Sequence, residues 1–422
     1  MKTISAMVLL FLSLLTPHFT AAFEFNTGER VKISSDYLNE EREIQVLLPE
    51  SYHNHPRSTY PVLYLLDGDY NFHGMSGVLD FLANKGQLIP DIILVGVADK
   101  GTEKHRQYMT PTKPSLSPSK KSGKSELFLR FLEKELKPYI QSHYRAAHHS
   151  ILAGQSIGGA FVLNTLTESP NAFDHLIAVS PAVWANDHAI IDKTKTFIEN
   201  REFAPVSLHL SLGDETRMGV YGILQLLDEA QPQNIRWRFS HYSDENHNSV
   251  GLVAIRDNLK TIFKGWFITD TQLSHTFTPE QLLTHYQSLL ASLKINQPIP
   301  TPSIKSAVRY FYRQEQAAQI PAFMEKVKTA LPASEQGFIL MQATYAGHYD
   351  SPQAALSILL KTESRFAHSI EYLKNIAGVY SELGEAEKAL SYYEKALNLA
   401  KKRQVNQWQI NIINAKILEL KN

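Results

Sequence analysis

Residues 151–160 read Ile151-Leu152-Ala153-Gly154-Gln155-Ser156-Ile157-Gly158-Gly159-Ala160. An apolar, β-compatible run enters a G-x-S-x-G turn, and Phe161-Val162-Leu163 carries on as a helix-compatible stretch. In that setting the motif is a nucleophile elbow. The turn is too tight for flanking side chains, which is why glycine stands on both sides. Ser156 Oγ is then set at the carboxyl end of a strand, and the next helix aims its N-terminal N–H groups at the same spot.

The surrounding sequence supplies the sheet that such an elbow needs. Arg30-Val31-Lys32-Ile33 and Arg42-Glu43-Ile44-Gln45-Val46-Leu47-Leu48 predict antiparallel strands, the second ended by Pro49, which cannot donate to a ladder. Val62-Leu63-Tyr64-Leu65-Leu66 and Ile92-Ile93-Leu94-Val95-Gly96-Val97 are continuous apolar runs, as suits strands buried on both faces. A helical pattern covers 127–140, and further strands are predicted at 176–179, 206–210 and 235–239. This alternation predicts an α/β fold with a doubly wound, mostly parallel sheet, and the elbow within it points to the α/β-hydrolase form. Sites in such sheets lie at the carboxyl ends of the strands.

A serine hydroxyl needs a base to take its proton, and a histidine that titrates near neutrality can return that proton to the leaving group. A carboxylate is needed to fix the imidazole tautomer. In α/β-hydrolases the acid and then the histidine follow the serine. His247 lies in the loop after the last predicted strand and before a long helix, where the base belongs; His241 falls on or beside that strand. The acid loop is Gly213-Asp214-Glu215-Thr216, and Asp214 and Glu215 both fit from position alone. Asp244 and Glu245 sit too near His247 for the usual arrangement. The oxyanion hole requires two donors. The elbow supplies the N–H of Ile157. Asp67-Gly68-Asp69, after the 63–66 strand, supplies the other at Asp69 if Gly68 turns the chain. Arg106 and Trp184 follow strand ends and are candidate pocket residues, Arg106 for an anionic substrate group and Trp184 as a wall; a loop salt bridge and plain core packing are the competing readings.

These pieces together resemble a family: the esterases that include esterase D, the enterochelin and bacillibactin esterases, and the mycobacterial mycolyltransferases. The resemblance spans roughly residues 40 to 267. It rests on Tyr64-Leu65-Leu66-Asp67-Gly68, Arg106 with Thr110-Pro111, Phe131-Leu132-Glu133-Lys134-Glu135-Leu136-Lys137-Pro138-Tyr139-Ile140, Tyr144-Arg145, Ala153 through the elbow to Gly159, Ser180-Pro181-Ala182-Val183-Trp184, and Glu245-Asn246-His247. It implies serine-ester hydrolysis with no metal and no cofactor. It implies Ser156 as nucleophile, His247 as base and Asp69 as an oxyanion donor, and it favours Glu215 over Asp214. Gln155 departs from the histidine commoner at that elbow position.

Met1-Lys2 opens a basic n-region, residues 7–15 form an apolar core too short to span a bilayer, and Thr20-Ala21-Ala22 offers small residues for cleavage before Phe23. Residues 1–22 are therefore expected to be a secretory signal peptide, and the mature chain to be periplasmic or secreted. With no cysteine among 422 residues, a lipoprotein anchor, disulfides and thiolate metal sites are excluded. Formal charge is zero, with no basic stripe to suggest nucleic acid and no second apolar segment to suggest a span. Export also argues against S-formylglutathione, a cytosolic substrate.

From about Thr278 the strand signals stop. The expected organisation is a hydrolase domain over 23–272 and an all-helical domain over 273–422. Thr278-Pro279-Glu280-Gln281 is a capped helix start. Leu373, Ile376, Ala377, Tyr380, Gly384, Ala389, Tyr393 and Ala396 fall at the spacing of a tetratricopeptide repeat, and Tyr345 and Ala354 echo Tyr380 and Ala389 about 35 residues earlier. The end of the chain is expected to close the array with a polar outer face. So short an array is expected to dock on the hydrolase part through the 286–293 helix or to bind a protein partner, and to act as a substitute lid if it lies near the site. The leading expectation is an exported serine esterase acting on a small-molecule or siderophore-like ester. The alternatives are an acyltransferase of the same fold and an inert scaffold whose repeats bind a partner.

Overall fold

The computed structural model describes residues 28–111, 123–200, 203–403 and 405–422. The expected signal peptide lies outside the described residues. Eight strands form one sheet: β1 (Glu29–Ser35), β2 (Glu40–Leu47), β3 (Tyr60–Leu65), β4 (Ile93–Val97), β5 (Ala146–Gln155), β6 (His175–Val179), β7 (Val206–Gly213) and β8 (Ile235–Tyr242). Their spatial order is β1-β2-β4-β3-β5-β6-β7-β8. The β1/β2 and β2/β4 pairs are antiparallel and every other pair is parallel. The crossovers carry α1 (Gly68–Leu79), α2 (Thr102–Met109), α3 (Ser125–Phe131), α4 (Lys137–His143), α5 (Ile157–Glu168), α6 (Ala185–Asn200) and α7 (Val220–Ala230), and α8 (Val250–Ile262) follows β8.

Period-two alternation decides which helices cover which face. Tyr64, Leu152, Ala178 and Leu208 enter one core with Phe128, Phe161 and Ile223 of α3, α5 and α7. Leu63, Leu65, Ile151, Ala153 and Ile177 enter the other with Met75 of α1 and Ala254 of α8.

The second core does not stop at the sheet. It runs on through Trp266 and Leu273 into the helices that follow. These are α9 (Asp270–His275), α10 (Pro279–Leu293), α11 (Thr301–Arg313), α12 (Ile320–Ala330), α13 (Glu335–Tyr349), α14 (Pro352–Phe366), α15 (Ile370–Glu382), α16 (Ala386–Lys402) and α17 (Gln407–Lys421). Thr278 and Gln281 close a reciprocal capping box at the start of α10. Tyr286, fully buried on α10, donates its hydroxyl to Trp266 O at 2.8 Å. Farther out, helices pair through small residues: Ala343 and Ala355 lie in one core and Ala377 and Ala396 in the next. Gly384, at φ +74°, opens the turn between α15 and α16. The last helix departs from the polar outer face expected of it. Ile413 and Ile417 form its buried seam, and Trp408 and Leu418, lying off that seam, are exposed. Among the described residues no helix is long and apolar enough to cross a membrane.

The polar contacts fix where the helical part sits. Thr59 N–H donates to Asn296 O at 3.1 Å and Asp91 N–H to Gln297 Oε1 at 2.9 Å. Thr301 N–H donates to Gln87 Oε1 at 2.7 Å, and Arg403 Nη1 to Asn54 Oδ1 at 2.6 Å. Thr59 and Asp91 precede β3 and β4, so these bonds lie at the amino edge of the parallel strands, opposite the edge that carries Ser156. This corrects the lid reading: docking is decided by contacts between distant segments, and these hold the helices away from the elbow. The proline-rich 296–302 stretch is the docked segment, with Gln297 1% exposed.

The same edge holds a ladder of histidines on adjacent strands. The His149 and His175 rings are 5.0 Å apart and the His175 and His209 rings 5.9 Å. Burial, aided by the neighbouring histidines and Arg236, pushes His175 down to about 3. Burial with Arg238 nearby pushes His209 down to about 4. Burial also lowers His149, against the pull of Asp174 and with Lys294 adding to the drop. The unfolded chain binds these protons near 6.5, so between that value and 4 it holds more of them than the native state. The stability from these groups is complete above about pH 7 and drains as pH falls, by about 2 kcal/mol for each of His175 and His209 at pH 5. Calorimetry of wild type against His175→Phe/His209→Leu is expected to show a shallower fall in Tm from pH 7 to pH 5 in the variant. Parallel curves would reject a role for the ladder.

Candidate active site

Ser156 follows the last residue of β5 and caps α5 with φ 56°, ψ −119°, a conformation costly for a side-chain-bearing residue. Its backbone is pinned: N–H donates to Val179 O at 3.0 Å, and its carbonyl accepts from Ala160 and Ala182 N–H at 3.0 and 2.9 Å. The glycines are required by contact rather than by φ. A Cβ on Gly154 would stand 2.6 Å from the Gly158 backbone, and one on Gly159 3.0 Å from Pro181 Cα. Ile157 is the first residue of α5, so its N–H has no acceptor within the helix.

β7 and β8 deliver the other two side chains. His247 Nδ1 lies 2.6 Å from Glu215 Oε2. A carboxylate accepts, so Nδ1 carries the proton of this bond, which in the neutral imidazole leaves the lone pair on Nε2. The two loops are tied together by Asp214 N–H donating to Glu245 O at 2.7 Å. Gly213 permits this, since a Cβ there would sit 2.7 Å from the same carbonyl. The Asp214 side chain is exposed, while that of Glu215 is 12% exposed and faces His247. Asn246 Oδ1 accepts from Asn248 N–H at 2.9 Å and from Ser249 N–H at 3.2 Å, which shapes the loop around His247. Gln155 Nε2 donates to His247 O. The elbow residue that departs from the family pattern therefore holds the backbone of His247, and Gly251 leaves it room.

The loop after β3 differs in detail from expectation. The left-handed residue is Asp67, at φ 57°, not Gly68. Gly68 is needed for space, because a Cβ would meet the Gly96 and Val97 backbone at 3.0 Å. Asp69 is the second residue of α1, so its N–H is among those a helix leaves without an internal acceptor. Its carboxylate accepts from Asp99 N–H at 3.0 Å and from Gln45 Nε2 at 3.2 Å. Asp67 reaches α5: a Cβ on Gly158 would lie 2.8 Å from Asp67 Oδ2. The loop bearing Asp69 thus abuts the turn bearing Ile157.

His105 of α2 braces that loop, with Nε2 3.0 Å from Asp67 Oδ1 and Nδ1 2.8 Å from Asp99 Oδ1. Burial opposes its charge, but the two carboxylates outweigh burial and push it up to about 10. The ligand atoms of Asp67, Asp99 and His105 lie within 4.8 Å of one another, as a metal site requires. When protonated, the imidazole pairs with both carboxylates and ties α2 to the two loops. Arg106 is exposed on α2, and no carboxylate among the described residues pairs with it. Trp184, 46% exposed beyond β6, is not a core residue.

A sheet of this strand order, with a serine elbow after its fifth strand and an acid–histidine pair after its last two, defines an α/β-hydrolase. A family model described as "Putative esterase" matches residues 35–220. The chain is 31% identical over 261 residues to the ferri-bacillibactin esterase BesA of Bacillus subtilis, covering 55% of this chain and 89% of that protein. The chain belongs to this esterase family. An IroE-like serine hydrolase of Shewanella oneidensis superposes with TM-score 0.58 at 25% identity, over 74% of this chain and 99% of that one. An uncharacterised protein of Capnocytophaga ochracea shares the fold over 93% of this chain and 99% of its own, with TM-score 0.54 at 17% identity.

Proposed function

We propose that the chain is an exported siderophore esterase that works through Ser156, His247 and Glu215 and an acyl-enzyme. The observation that carries the mechanism is the 2.6 Å Glu215–His247 pair at the strand edge that bears the Ser156 elbow. His247 Nε2 takes the Ser156 proton as Oγ attacks the ester carbonyl. The Ile157 and Asp69 N–H groups receive the oxyanion, and the imidazolium returns its proton to the departing alcohol. Water then repeats the sequence on the acyl-enzyme.

The substrate class is supported by the named activity of the bacillibactin esterase relative. Exposed Arg106 would offer a guanidinium to an anionic chelate, and exposed Trp184 would offer aromatic surface. The expected result with purified chain is a kcat/KM on a ferric tricatecholate trilactone at least about 100-fold above that on p-nitrophenyl acetate, with chromatography resolving the ring-opened products. Hydrolysis of the aryl ester alone would reject the siderophore while keeping the esterase.

A further inference from the structure

We propose that Ser180 is a positioning residue that acts through Glu215, an inference that rests on the Ser156–His247–Glu215 reading. Ser180 follows β6 and is fully buried. Its hydroxyl donates to Glu215 Oε1 at 2.6 Å and accepts from Gly213 N–H at 3.1 Å. Its own N–H donates to Ser211 O at 2.7 Å. Glu215 is therefore held at both oxygens, Oε2 by His247 and Oε1 by Ser180.

The backbone gives an independent reason to look at this residue. Ser180 has φ 39°, in the left-handed region, and it precedes Pro181, which further restricts it. Glycine would adopt this φ without steric cost. The chain instead carries a residue that strains there, and the hydroxyl is what that residue contributes. A carboxylate bonded at one oxygen can swing about its terminal torsion. With Oε1 fixed, the carboxylate plane is fixed, and Oε2 stays in line with His247 Nδ1. The Gly213 N–H polarises the hydroxyl and couples it to the strand that leads into the acid loop.

The test compares Ser180→Gly, Ser180→Ala, Glu215→Gln and the Ser180→Gly/Glu215→Gln pair in the full chain on p-nitrophenyl acetate. Ser180→Gly removes the hydroxyl but relieves the backbone, and that relief offsets part of the cost of the two lost hydrogen bonds. The kcat should fall about 10- to 100-fold with KM within about twofold. Ser180→Ala should lose as much kcat with a lower Tm than the glycine variant, since it loses the same hydrogen bonds and keeps the strain. The double variant should be no slower than Glu215→Gln alone, because the hydroxyl acts only through that carboxylate. Proton NMR should show the hydrogen-bonded His247 Nδ1–H resonance weakened or shifted in Ser180→Gly. A Ser180→Gly enzyme with wild-type kcat, or a loss that adds fully to that of Glu215→Gln, overturns the proposal. Should the glycine variant fail to fold, the alanine variant's kcat and resonance decide in the same way. If Ser156→Ala and Glu215→Gln leave activity intact, the site reading itself has failed; if they remove it and Ser180→Gly does not, this inference alone has.

Discussion

Ser156→Ala is expected to abolish ester hydrolysis, with kcat on p-nitrophenyl acetate falling by about 10⁴- to 10⁶-fold. The size follows from what the residue does. No other hydroxyl sits on the elbow, and a water placed there would have no covalent intermediate to divide the reaction into two easier steps. The fold should survive, because the elbow is held by backbone bonds from Ser156 N–H to Val179 O and from Ala160 and Ala182 N–H to the Ser156 carbonyl. None of these uses Oγ. Alanine meets the same left-handed strain that serine already carries, so Tm should change little. A fluorophosphonate probe should label Ser156 in wild type and nothing in the variant. Labelling at another serine, or turnover within tenfold of wild type, would move the chemistry elsewhere.

The sequence exposed some of this design and hid the rest, for physical reasons. Runs such as 62–66 and 92–97 identify strands buried on both faces because every position in them is apolar. The elbow is legible because its glycines answer a local clash, Gly154 against Gly158, four residues apart. His247 could be found by chain order. The supports could not. Ser180 meets Glu215 across 35 positions and Gln155 meets His247 across 92, and a lone Ser or Gln carries no pattern. The Ser180-Pro181 step was the one available signal, and it was absorbed into the family motif. The left-handed turn falls on Asp67 although Gly68 beside it is the residue type that takes that conformation at least cost. Here an Asp takes that role, braced by His105. The docking of the helical third at the amino edge depends on Asn296 and Gln297, whose partners Thr59 and Asp91 lie more than 200 positions away. Composition marks that segment as a linker and says nothing of what it touches.

The choice between the adjacent acids is the other large effect. Glu215→Gln is expected to lower kcat about 10²- to 10⁴-fold, and Asp214→Asn to leave it within about twofold. Glu215 Oε2 is the acceptor for His247 Nδ1–H, so the charge that builds on the imidazole in the transition state is balanced there. A glutamine keeps the shape but not the charge, and its amide can turn an N–H toward Nδ1. That would favour the tautomer with its proton on Nε2, which cannot accept from Ser156. Asp214 contributes through its backbone, donating N–H to Glu245 O, and asparagine retains that bond with its side chain in solvent. The two losses should differ in kind as well as size: Glu215→Gln acts on kcat with KM little changed, since the carboxylate touches the base and not the substrate. The opposite ranking would transfer the role to Asp214 and leave the Glu215–His247 contact without a catalytic purpose. Equal, mild losses would show a serine–histidine pair working without either acid.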